Sequence, residues 1–194
     1  MTKPIGVAVI GAGMAGRSHA QGYRNAQTVF GTDAPPVRLV AMADVNEEFA
    51  RGQAARYGFE RYETSWEAIA AADDIDAVSV VVANQLHRPI AEGLLAAGKH
   101  VLCEKPLAPS VADAEAMVVA AEQAGTVAAC GFSYRRSPAA SAIGEQIATG
   151  TGRSLITIGN VAPRTVLIGP HSCSARSIRW LPRSASAPEP IGPV

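Results

Sequence analysis

Apolar positions along this chain fall into two alternating textures. Short continuous runs, "IGVAVI" at 5–10, "VRLVAMAD" at 37–44, "DAVSVVVAN" at 76–84, "HVLC" at 100–103 and "TVAACGFSY" at 126–134, read as strands. Between them lie segments that can turn as helices: "MAGRSHAQGYRNA", "VNEEFARGQAARYG", a stretch from about Ser65, "LHRPIAEGLLAAG", "SVADAEAMVVAAEQAG" and "PAASAIGEQIATG". Punctuation agrees with this division. Ser65 and Ser110 stand where a hydroxyl caps a first helical turn, Gly58 suits a C-terminal stop, and Pro138 fits a first helical position.

Strands that stay apolar throughout, rather than alternating, are buried on both faces. Separated by helices, they imply a parallel sheet covered on two sides. The predicted fold is therefore α/β, a doubly wound parallel sheet of Rossmann type over residues 1–132. Residues 133–152 are expected to form a connecting helix. From 153 to 194 the texture changes: Ser, Arg and Pro dominate, Asp and Lys are absent, and beyond "RSLITIG", which would suit one more strand, no period can be followed. That segment is expected to be an irregular tail.

The turn after the first strand carries the first chemistry. Gly11, Gly13 and Gly16 form G-x-G-x-x-G between a strand and a helix, the context in which this spacing points to a dinucleotide. Gly11 permits the tight turn, Gly13 lets backbone approach a pyrophosphate, and Gly16 lets the helix sit close to the sheet. Met14 and Ala15 open that helix, whose unpaired N–H groups would face the phosphates. Asp44, ending the second strand, can accept hydrogen bonds from ribose hydroxyls and would repel a 2′-phosphate, so NAD is favoured over NADP. Asp44 also fits a helix cap, and it lies farther from the glycines than the usual ~20 residues, with "QTVFGTDAPP" as the extra length.

Composition narrows the classes further. The chain has 194 residues, is 48% hydrophobic and 18% charged, and has zero formal net charge, which describes one globular core. The neutrality hides an asymmetry: residues 151–194 carry five arginines against one acid, Glu189. A nucleic-acid partner is not expected, because the main body has no basic face with interleaved aromatics. A membrane span is not expected either, since no apolar run approaches ~20 residues. Cys103, Cys130 and Cys173 lack metal or disulfide spacing and read as idle thiols in a reducing cytosol, with no metal site.

Three blocks taken together carry a resemblance: "GAGMAGRSHA", "NQLHRPIAEGLLAAGKHVLCEKPLA" and "GFSYRRSPA". The chain resembles the Gfo/Idh/MocA family of nicotinamide-dependent oxidoreductases over about residues 5 to 150. The resemblance implies an NAD-dependent hydride transfer on a sugar, inositol or related polyol. It implies that Lys105 stands beside the nicotinamide as the catalytic group, stabilising alkoxide-like character or sharing the proton. Pro106 would fix the backbone that aims it, through a cis bond, and Glu104 would orient the lysine or the nicotinamide side. Asn84 matches the family's asparagine near the nicotinamide ribose, although Val82-Ala83 replaces the usual Thr-Pro before it. His87 opens the next helix and is read as a cofactor-loop residue or, like His19, as a packing or capping group. Arg135 is a candidate for the substrate cleft, and a solvated pair with Arg136 is the alternative.

Enzymes of this family also have a second α/β domain with an Asp-x-x-x-His element. This chain has no aspartate after Asp113, and its last histidine, His171, sits in "GPHSC". The expectation is a truncated or out-of-frame product with little activity as it stands; the alternative is a non-catalytic NAD-binding remnant or a regulatory or assembly module. The face that a lost domain would have covered implies self-association into a homo-oligomer.

Overall fold

The structure is a computed structural model, and it describes residues 3–29, 35–133 and 137–148. Six strands form one sheet: β1 (Ile5–Ile10), β2 (Val37–Ala43), β3 (Arg61–Glu63), β4 (Ala77–Val80), β5 (His100–Cys103) and β6 (Ala128–Cys130). Their order is β3-β2-β1-β4-β5-β6, and every pair is parallel. The helices are α1 (Met14–Thr28), α2 (Glu47–Tyr57), α3 (Trp66–Ala71), α4 (His87–Ala96), α5 (Val111–Ala124) and α6 (Pro138–Ala148), with a 3₁₀ turn at Asn84–Leu86 before α4. The strand order reverses direction between β1 and β4, the point where open α/β sheets hold their ligands.

The apolar runs explain this layering. Along β1, Ala8 and Ile10 join a core with Ile69 of α3, Ile90 and Leu94 of α4 and Met117 of α5. Val9 points to the other face, where it packs with Ala20 of α1, Met42 of β2 and Ala54 of α2. Both faces are thus consumed, as non-alternating strands require. Each large side chain so buried contributes roughly 1.5–3 kcal/mol.

Helix starts follow the polar punctuation. Ser65 and Ser110 accept from the N–H groups of Ala68 and Asp113, and Asn46 accepts from that of Phe49. Gly58 closes α2 in the left-handed region at φ 75°. Among the described residues no helix is long and apolar enough to cross a membrane.

One strand and two strand ends differ from the pattern. β3 was not anticipated, because "RYE" is too short and too polar to announce a strand; it forms by pairing with the edge of β2 while Asp74 and Glu63 neutralise Arg61. β4 stops at Val80 and β6 at Cys130, short of their apolar runs, although the next N–H groups, of Val81 and Gly131, still donate to the carbonyls of Ile10 and Cys103. The possible strand "RSLITIG", Arg135, Arg136, Cys173 and the tail at 153–194 lie outside the described residues.

Candidate cofactor site

At the carboxyl ends of β1, β2, β4 and β5, loops converge over the reversal point. Gly11 follows β1 at φ 102°, a conformation side chains rarely adopt, and a Cβ there would also overlap the Val81 carbonyl. Gly16 is held differently: a Cβ would collide with the carbonyl oxygen of Gly11, so the missing side chain is what lets α1 sit on its own turn. Gly13 has no heavy atom within 4 Å of where a Cβ would stand. Nothing in the fold requires that residue to be glycine, which leaves room above it as the reason.

Gly13 caps α1 without any side-chain hydrogen bond, and no acid occupies the first turn. The first N–H groups of the helix and its partial positive charge therefore face outward toward an anion. Met14 stands beside them, 78% exposed.

Asp44 follows β2 and is half-buried. One carboxylate oxygen accepts from the Ala12 N–H at 2.9 Å and the other from the Asn46 N–H at 3.0 Å. The capping alternative falls to Asn46, not to Asp44. Each oxygen of Asp44 keeps a lone pair for a hydroxyl donor, and the bond to Ala12 locks the carboxylate to the glycine turn. The long spacing is absorbed partly by α1 itself, which runs 15 residues.

On the other side of the reversal point, Ala83 takes φ −63° and ψ 139°. That φ lies within the range a proline would impose, so Ala83 adopts a proline-compatible backbone here. Asn84 begins the 3₁₀ turn and is half-buried. His87 is only 1% exposed, and both ring nitrogens are engaged: Nδ1 lies 3.0 Å from the Pro106 carbonyl and 3.2 Å from that of Leu107, and Nε2 lies 3.1 Å from that of Val82. It presents no free nitrogen to a ligand and braces the two loops from beneath.

Glu104, Lys105 and Pro106 follow β5, and the Lys105–Pro106 bond is cis. Lys105 is exposed, and its ammonium has no hydrogen-bond or ion-pair partner recorded among the described residues. The Glu104 carboxylate accepts from the Lys105 backbone N–H at 2.9 Å and faces His19 Nε2 at 3.0 Å. Burial pushes its pKa up, but the bonds from His19 and Lys105 outweigh it and hold the carboxyl below its usual range. Gly131 makes room: a Cβ there would stand 2.7 Å from Glu104 Oε1.

Behind Glu104 lies a chain of polar groups to which His19, expected from the sequence to be a packing or capping group, belongs. His19 Nδ1 is 3.0 Å from Ser79 Oγ, and Tyr23 OH is 2.8 Å from the same oxygen. The signal for it was present: Ser79 is a hydroxyl inside a run of valines, and Gly16, His19, Ala20 and Tyr23 share one stripe of α1. The cysteines do not take part. Burial pushes the Cys103 thiol up to about 12, and Cys130 is raised for the same reason. No group of three or more metal-ligating side chains occurs among the described residues.

The glycine turn with open space at Gly13, the outward helix end and the tethered Asp44 carboxylate together have the chemistry to hold a dinucleotide. A sequence model described as "Oxidoreductase family, NAD-binding Rossmann fold", that of Gfo/Idh/MocA, matches residues 5–132. Levoglucosan dehydrogenase of Pseudarthrobacter phenanthrenivorans is 38% identical over 154 residues, 78% of this chain and 39% of that protein. Inositol 2-dehydrogenase of Rubrobacter xylanophilus is 37% identical over 148 residues, 75% of this chain and 40% of that protein. A solved levoglucosan dehydrogenase, in complex with NADH and levoglucosan, matches with a TM-score of 0.73 at 33% identity, over 76% of this chain and 40% of that one. The chain spans about 40% of the length of these curated relatives. With more than half of its residues matched to the family model, and with the family's NAD-binding Rossmann fold built from them, the chain belongs to the Gfo/Idh/MocA oxidoreductases.

Proposed function

We propose that this chain is the cofactor-binding part of an NAD-dependent oxidoreductase acting on a sugar, inositol or related polyol. The observation that carries the reading is the exposed Lys105 ammonium at the end of β5, across the reversal point from a glycine turn with open space at Gly13. A bound nicotinamide supplies the hydride acceptor or donor. The residues of the chain do the rest: Gly11, Gly13 and the first turn of α1, with Met14 and Ala15, hold the pyrophosphate, and Asp44 takes the ribose hydroxyls. Asn84 would hold the nicotinamide ribose, and His87, bonded to the carbonyls of Val82 and Pro106, would fix the two loops that carry Asn84 and Lys105.

Lys105 would contact the substrate oxygen. A cation there stabilises negative charge developing on that oxygen as hydride leaves the neighbouring carbon, and its N–H bonds offer a path for the proton. Lys105 is thus the catalytic group of this reading, with Glu104 holding its backbone. Arg135, outside the described residues, is a substrate-side candidate on the sequence alone, with a solvated pair with Arg136 as the alternative.

Asp44 sets the cofactor preference, since a carboxylate at the adenosine ribose repels a 2′-phosphate. Tighter binding of NADPH than of NADH would overturn that role. Turnover with a panel of sugars and polyols is the direct test. NAD-dependent oxidation that falls about 10²-fold or more in Lys105→Met, with NADH affinity retained, is expected. Retained NADH binding with no turnover of any polyol would reduce the chain to a cofactor-binding module.

A further inference from the structure

The polar chain beneath Lys105 has a direction. A carboxylate can only accept, so at the 3.0 Å contact His19 Nε2 carries the hydrogen and donates to Glu104 Oε1. Glu104 Oε2 accepts from the Lys105 backbone N–H. The two oxygens of one carboxylate thus join α1 to the residue proposed to act on substrate. On the far side of the ring, Ser79 is fully buried in β4 and bonded to both His19 and Tyr23. The Nδ1 contact holds the imidazole at its far edge, and Tyr23 holds the serine: rotating the ring would cost the buried Ser79 hydroxyl one of its two partners. The His19 and Glu104 side chains are 15% and 20% exposed, so water competes weakly for either.

Packing alone does not need this arrangement. Valine would fill the Ser79 position in a strand whose neighbours are Val78 and Val80, and leucine would fill the sheet-facing position of His19. Gly131, whose Cβ would press on Glu104 Oε1, likewise keeps space for the carboxylate.

We propose that His19 is a positioning residue: held by Ser79, which Tyr23 holds in turn, it fixes the Glu104 carboxylate, which fixes the Lys105 backbone at the mouth of the cofactor cleft. The inference rests on the reading of Lys105 given above, and it extends the active assembly to α1 and β4.

The test compares amide hydrogen exchange at Lys105 and NADH affinity in the wild-type chain, His19→Ala and His19→Gln. The Glu104 amide, which donates to the Val80 carbonyl at 3.0 Å, serves as the internal reference. In His19→Ala the Lys105 amide is expected to exchange about three- to tenfold faster relative to Glu104, the worth of one net hydrogen bond, and NADH affinity to fall by a similar factor. In His19→Gln, whose side-chain amide can still donate to Glu104, both are expected to return part of the way. Unchanged relative exchange at Lys105 in His19→Ala would overturn the proposal, as would equal acceleration of both amides, which marks general loosening of α1. If His19→Ala does not fold, nitrogen-detected NMR of the wild-type ring decides: hydrogen on Nε2 supports the inference, and its absence there sinks it. The exchange arm needs no cofactor, so a wild-type chain that fails to bind NADH counts against the cofactor reading alone.

Discussion

The two ends of the sheet are built from similar residues put to opposite uses. At the amino end, charges are spent on one another. Arg61 grips both oxygens of Asp74 at 2.7 and 2.9 Å, Arg38 reaches Glu60 and Asp74, and Lys3 pairs with Asp76. Lys99 is nearly buried there, and its ammonium donates to the carbonyls of Ala72 and Ile75. At the carboxyl end the lysine that follows the same strand, Lys105, is exposed, and the helix N-terminus at Gly13 is uncapped by any side chain. Groups that satisfy each other hold a fold together, and groups left open at one converging point mark where something else must bind. Of the two lysines flanking β5, only Lys105 is offered outward.

That contrast can be broken hardest at the glycines. Gly16→Val is expected to abolish cooperative folding, or to cost more than about 3 kcal/mol in denaturant melts, because the Gly11 carbonyl it meets is backbone and cannot swing aside. Gly13→Val should do the reverse. Its side chain enters empty space, so only the loss of a favoured N-cap residue, about 0.5–1 kcal/mol, is expected in the melting curve, while NADH affinity, followed by fluorescence, falls at least about tenfold. Equal affinity in Gly13→Val would detach the glycine turn from cofactor binding. A large stability loss there would show that the space is not open.

Much of this was legible from one-dimensional pattern. Buried parallel strands write themselves as apolar runs and caps as Ser at the right offset, whereas the cap of α2, read at Asp44, falls to Asn46, and the strand order that creates the reversal point shows only in the folded sheet. Local signals could not reveal β3, whose three polar residues become a strand only once β2 offers an edge. Nor could they show that Asp44 spends one oxygen on the glycine turn, a contact across 32 positions. His87 and His19 show the same limit from opposite sides. Each is a lone histidine in a helical stretch; the first is consumed by three backbone carbonyls, and the second connects a buried serine to Glu104. What separates them is partners 5 to 85 positions away, which only the folded chain brings together.

The smallest expected effect belongs to the amino end. The bond from Arg61 holds the Asp74 carboxyl below its ordinary 3.8, and Arg61 in turn is raised chiefly by Asp74. A carboxyl whose folded pKa is depressed adds stability above its unfolded pKa, and that share is lost as pH falls through the folded value. The side chains of Arg61 and Asp74 are 34% and 42% exposed, so solvent screens the pair and Asp74→Asn is expected to cost only about 0.2–1 kcal/mol near neutrality. The gap between wild type and variant should stay constant from pH 7 to about 5 and close below about 4, where the wild-type carboxylate takes up its proton. NADH affinity should not change in Asp74→Asn at any of these pH values. A loss of affinity there would mean that the two ends of the sheet are coupled, and that the division of labour between them is drawn in the wrong place.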